Sequence, residues 1–134
     1  MATQANINAA KRLAARYNSI TQKEIRTTMA TLGDTRFSFY LLETLTGYHA
    51  CSRCPLCVSV RSGLLSPIKC KDCIYWDKNL YGDYPENRMH GFCNDGPNEK
   101  TFKAIGKART VKGLVIAYRR RAKHILARLK ELGE

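Results

Sequence analysis

Acidic residues are scarce in this 134-residue chain. There are 11 Asp and Glu against 23 Lys and Arg, a formal net charge of +12, and an imbalance of that size turns attention to polyanionic partners. Long apolar runs are missing as well. No stretch approaches the ~18 residues needed to cross a bilayer, and the opening MATQANINAAKR has no continuous apolar segment of the secretory kind. The expectation is a cytoplasmic protein without membrane association. Outside residues 51–93 there is no cysteine, and outside 55–97 no proline. The histidines, His49, His90 and His124, stand in no metalloprotease-type or nucleophile-activating motif. No catalysis is expected.

The charge is concentrated at one end. Residues 1–50 carry six basic and three acidic groups, residues 51–99 six of each, and residues 100–134 eleven and two. The same boundaries divide the chain into an N-terminal helical region (1–50), a cysteine-rich metal-binding module (51–99) and a basic C-terminal helix (100–134), all within one compact unit. The length allows a single domain with at most a small satellite.

Helical spacing is plain on both sides of the module. Ala10, Leu13, Ala14 and Tyr17 predict a helix over about residues 5–17. Thr21-Gln-Lys-Glu24 is a capping box opening a second helix that carries Ile25, Met29 and Leu32 and stops at Gly33. Asp34 can cap a third, whose apolar stripe runs from Phe37 to Leu45 before Gly47. From about Thr110 to Leu132, Val111, Val115, Tyr118, Ala122, Ile125 and Leu129 recur at steps of four and three, a seam expected to pack within the chain rather than against a second copy. The other faces carry Lys112, Arg119, Arg120, Arg121, Lys123 and Arg128. A helix-turn-helix over residues 20–45 fits poorly, because the first helix runs too long before Gly33 and Arg26 stands where close packing needs a small side chain.

The module is punctuated by glycine and proline and is too poor in apolar residues to fold without a staple. All six cysteines lie in it: Cys51, Cys54, Cys57, Cys70, Cys73 and Cys93. Cys54-Pro-Leu-Cys57, twelve intervening residues and Cys70-Lys-Asp-Cys73 make a C-x2-C-x12-C-x2-C pattern. Zinc takes such sites because each two-residue spacer aims two thiolates at one ion. A set of Cys70, Cys73, His90 and Cys93 has acceptable spacing too, so Cys93 joins the candidate ligands. Four protein ligands leave no open position, and the ion is expected to be structural. Cys51, Cys54 and Cys57 also open an iron–sulfur run, and a cluster with a fourth thiolate from farther along is the alternative cofactor, although Val58, Ser59 and Val60 stand where the ferredoxin continuation has its next cysteine. A redox dithiol at Cys54 and Cys57 needs a βαβ context that is not visible.

Leu45-Thr-Gly-Tyr48, Cys54-Pro-Leu-Cys57, Cys70-Lys-Asp-Cys73 followed by Ile74 and Tyr75, and Gly91-Phe-Cys93 ahead of a C-terminal helix together resemble a group of small cysteine-rich bacteriophage proteins of unknown function. The resemblance spans roughly residues 42 to 98. It implies a phage origin, action in the cytoplasm of an infected bacterium, and Cys54, Cys57, Cys70, Cys73 and Cys93 as recurrent positions. Cys51 and the very basic C-terminal segment depart from the group.

The expected fold is therefore mainly α: a small helical bundle, a zinc-stapled, loop-rich insert of zinc-knuckle or ribbon-like type, and a long basic C-terminal helix. The expected activity is non-catalytic binding of nucleic acid or a ribonucleoprotein by Lys112, Arg119, Arg120, Arg121, Lys123 and Arg128, joined by Lys100, Lys103, Lys107 and Arg109. Trp76, Tyr75, Tyr81 and Tyr84 could stack on unpaired bases, but the commoner role for such residues, and the expected one, is a little core over the zinc site. The alternative is an adaptor or inhibitor whose cationic helix lies on an acidic host or virion protein, with zinc purely structural.

Overall fold

Three threonines start three of the helices, each by accepting the backbone N–H three residues on: Thr3 from Asn6 at 3.2 Å, Thr21 from Glu24 at 3.1 Å and Thr110 from Gly113 at 2.9 Å. Each satisfies an N–H that the first helical turn leaves without an internal partner. The computed structural model describes residues 2–33, 35, 37, 39–47, 56, 59–60, 72–75 and 99–134. Within them the helices are α1 (Gln4–Ser19), α2 (Gln22–Leu32), α3 (Phe39–Thr46), α4 (Glu99–Lys107) and α5 (Val111–Glu131), with no strand among the described residues. The protein is mainly helical, as expected. No helix among these residues is long and apolar enough to cross a membrane.

The N-terminal helices form where the local signals put them. Gly33 ends α2 at φ 69°, a left-handed conformation that glycine adopts without penalty, and its N–H bonds back to Ala30 and Met29. Asp34, the expected cap of α3, lies outside the described residues. Glu24 has a second role beyond the cap: its carboxylate takes both guanidinium nitrogens of Arg16, at 2.7 and 3.2 Å, which ties the end of α1 to the start of α2. Arg16 also donates to the Leu45 carbonyl of α3 at 2.6 Å.

The basic C-terminal segment differs from expectation. Residues 100–134 are two helices rather than one, because the chain turns at Ala108–Thr110 and Thr110 caps a fresh start. The signal for α4 was weak, three apolar positions (Phe102, Ile105 and Ala108) among lysines with Gly106 between them.

The core joins α1 to α5. Ile7, Ala10, Leu13, Ala14 and Tyr17 pack against Leu114, Tyr118, Ala122, Ile125 and Leu129, all buried. The seam read from the sequence thus packs inside the chain, with Val111 and Val115 half-buried at its start. The two helices run antiparallel. Tyr17, late in α1, stacks on Tyr118 at 5.2 Å and 15°, while Asn6, early in α1, and Arg128, late in α5, both bond the backbone of Ile74. Ile25, Leu41 and Leu45 of α2 and α3 are buried in the same core. Leu56, Val60, Ile74 and Tyr75 of the cysteine-rich segment are buried in it as well, so the described part of the module shares the main core rather than standing beside it.

Candidate nucleic-acid interface and the anchor of the cysteine module

The six cations expected on the free face of α5 divide into two groups. Lys112, Arg120 and Lys123 are exposed and fall on one outer stripe together with Lys130. Arg119, Arg121 and Arg128 are turned inward, and each has a structural reason.

Arg119 donates to the carbonyls of Tyr17 and Ile20 at the end of α1. Those carbonyls lack intrahelical donors, and a cation at a helix C-terminus also suits the helix dipole. Arg128 donates from Nε to the Ile74 carbonyl and pairs through its other nitrogen with Glu131 at 2.9 Å. Arg121 is 3% exposed. Its guanidinium lies 4.7 Å from the Tyr75 ring centroid and 5.9 Å from that of Phe102, and it donates to Thr101 Oγ1 at 2.9 Å. A charge taken out of water needs such compensation, and the faces of aromatic rings supply part of it. A side chain so enclosed cannot reach a phosphate, and Arg121 is withdrawn from the cationic face on this ground.

The cationic face is broader than α5 alone. Lys100, Lys103, Lys107 and Arg109, on and just after α4, are exposed. With Lys112, Arg120, Lys123 and Lys130 they make eight exposed cations between residues 100 and 130, a stretch with no acidic residue. The surface also shows Ile116 and Leu126 on the outer side of α5.

At the opposite end of α1, one residue missed by sequence reasoning organises the module. Asn6 is fully buried. Its amide nitrogen donates to the Leu56 carbonyl at 3.1 Å and to Ser59 Oγ at 3.0 Å, and its amide oxygen accepts from the Ile74 N–H at 2.7 Å. Leu56 lies between Cys54 and Cys57 in the sequence, and Ile74 follows Cys73. Two segments about eighteen residues apart are therefore held by a single carboxamide, with the Thr3 N–H donating to the Asp72 carbonyl at 3.0 Å beside it. No periodic signal marks Asn6, because a polar residue beside Ile7 and before Ala10 reads as the edge of the apolar stripe.

Of the candidate metal ligands, Cys73 is half-buried and packs against the edge of the core. Cys54, Cys57, Cys70 and Cys93 lie outside the described residues, as do Cys51, His49, His90, Trp76, Tyr81 and Tyr84. Among the described residues no three His, Cys, Asp or Glu side chains come together as a metal site. Tyr75 is fully buried, which agrees with a core role and removes it from the residues that could stack on bases.

Tyr75 also meets His124. Its hydroxyl and His124 Nδ1 are hydrogen-bonded at 3.0 Å and the rings stack at 5.4 Å. Burial first, then the nearby Arg121 charge, hold the His124 imidazole below its ordinary range of about 6.5; Arg128 adds to this and Glu131 works against it. The unfolded chain therefore takes up this proton more readily than the folded one. The contribution to stability is complete above about pH 6.5 and is lost as pH falls below it. We expect the melting temperature to drop from roughly pH 7 to pH 5.5 more steeply in the parent protein than in a His124→Gln variant. Parallel curves for the two would assign the pH dependence to other groups.

No family model, no curated protein and no solved structure matches the chain.

Proposed function

We propose that this is a non-catalytic, zinc-binding protein of bacteriophage type that binds nucleic acid through the outer faces of α4 and α5. The observation that carries the reading is the row of eight exposed cations between residues 100 and 130, uninterrupted by an acid. A merely solvated surface mixes both signs, whereas a single-signed one repels itself and gains when phosphates displace its counterions. Zinc is supported by the spacing of Cys54, Cys57, Cys70, Cys73 and Cys93, and by Asn6, which bonds both Leu56 and Ile74. These are the neighbours of two Cys-x-x-Cys turns that one ion would share. When bound, the ion would brace loops and carry no reaction.

Fluorescence anisotropy with a mixed-sequence 20-mer tests the nucleic-acid half. Binding is expected at low ionic strength and should fall steeply with salt. The triple variant Lys112→Gln, Arg120→Gln, Lys123→Gln should flatten the logarithmic salt slope on duplex by about 0.9 for each contact removed. Lys11→Gln with Arg12→Gln, two exposed cations of α1, should leave it unchanged. Equal effects of the two variants would reduce the interaction to net charge. No binding, together with a lysate partner retained after nuclease, would favour the adaptor function. Elemental analysis should find one zinc per chain, removed by a chelator with a fall in melting temperature.

A further inference from the structure

A cleft of about 270 Å³ opens beside the stacked tyrosines, lined by residues of α1, α3, α4 and α5. Tyr17, Leu42, Phe102, Ile105 and Tyr118 form its apolar walls. Thr46 adds little polarity, because its hydroxyl donates to the Leu42 carbonyl within α3 at 2.7 Å. Gly106 leaves one side open, since a Cβ placed there meets nothing within 4 Å. Lys103 and Lys107 border the cleft and are exposed. The Tyr118 hydroxyl is itself closed off from solvent, so it adds no polarity to the cleft, and it has no hydrogen-bond partner among the described residues. A buried hydroxyl left so costs about 1–3 kcal/mol.

The chemistry of the cleft restricts its occupant. A sugar or a free base would place several polar edges against carbon walls and leave them unpaired. An amine would meet the two lysines with like charge. A helix from another protein, ~10–12 Å across with its side chains, is too wide for a space just under the ~300–1,000 Å³ typical of small-molecule sites. What fits is one small molecule with an apolar body and a single anionic head.

We propose that this cleft binds a monomeric amphiphilic carboxylate, its hydrocarbon against Tyr17, Phe102, Ile105 and Tyr118 and its carboxylate beside Lys103 and Lys107. The inference goes beyond polyanion binding and shares with it only Lys103 and Lys107; the apolar walls take no part in that reading, and the uncharged octanol tests them apart from it.

Octanoate, octanol and octylamine are the probes, followed by calorimetry and by amide chemical shifts in nuclear magnetic resonance. Octanoate is expected to move the Gly106 signal and its neighbours and to bind more tightly than octylamine. Lys103→Gln with Lys107→Gln should weaken octanoate by about three- to tenfold, the worth of two exposed charge pairs, and leave octanol within about twofold. Ile105→Trp fills the space and should abolish the binding of both. If that variant melts early, Leu42→Phe, from the facing helix, provides a second filling. Octylamine binding as tightly as octanoate would overturn the assignment. So would inorganic phosphate shifting Gly106 as octanoate does, octanoate shifts centred on Lys112 and Lys123, or undiminished binding by a folded Ile105→Trp or Leu42→Phe protein.

Discussion

Asn6→Leu is expected to destabilise the protein by about 3–4 kcal/mol in urea unfolding. The substitution keeps the branched four-atom skeleton, adds some bulk in a fully buried site, and removes three hydrogen bonds, to Leu56, Ser59 and Ile74. The N–H of the fully buried Ile74 is left unpaired, at about 1–3 kcal/mol, while the Leu56 carbonyl keeps the Ser59 hydroxyl at 2.7 Å and loses only its second donor, at about 1 kcal/mol. The helix itself should not suffer, because leucine is the better helix former. Asn6→Asp sharpens the test. Its carboxylate can still accept from the Ile74 N–H but turns lone pairs toward the Leu56 carbonyl, so it should be destabilised at pH 7. Protonation restores a donor, so the stability of Asn6→Asp should recover as pH falls, opposite in sign to the His124 effect. An Asn6→Leu protein within about 1 kcal/mol of the parent would show that α1 does not hold the module. Zinc content measured alongside tells whether loosening the clamp also weakens the ion.

Arg121→Ala should cost about 3 kcal/mol. It deletes a buried side chain that touches Tyr75 from the module and Thr101 and Phe102 from α4, and it combines a cavity with lost cation–π attraction. Arg121→Met separates the two contributions, since it keeps most of the stem and loses only the charge; buried ionic groups replaced by apolar ones of similar size often lose little. We expect about 1 kcal/mol for methionine. Arg120→Gln, one residue away and exposed, should change stability by less than about 0.5 kcal/mol while weakening polyanion binding. The pair is checked by thermal melts and by anisotropy well below the melting point. If Arg121→Met lowers polyanion affinity as much as Arg120→Gln does, the guanidinium reaches solvent and the buried assignment fails.

These two residues mark where the sequence stops being readable. The threonine cap at Thr21, without the reciprocal Glu24 half of the box, the stop at Gly33 and the seam of α5 are local patterns. They appear where they were expected. Whether an arginine on α5 faces water is decided elsewhere: Arg119 by carbonyls about a hundred residues away, Arg121 by Tyr75, Arg128 by Ile74. A row of Arg119-Arg120-Arg121 looks uniform on paper, yet consecutive residues on a helix point about 100° apart and only the middle one is left outside. α4 was missed because its lysines and Gly106 mask a short apolar stripe. Asn6 was missed because a buried carboxamide and an exposed one have the same one-letter code.

The antiparallel pairing of α1 with α5 has a bearing on how the polypeptide is born. On the ribosome, Ile7, Leu13 and Tyr17 emerge about a hundred residues before the surface that covers them, from Leu114 to Leu129. At ~5–20 residues per second, α1 waits several seconds with its greasy side uncovered, a window in which chaperones or self-association compete with folding. Nascent chains stalled before Leu114 should therefore be captured by holdase chaperones and released once α5 clears the exit tunnel.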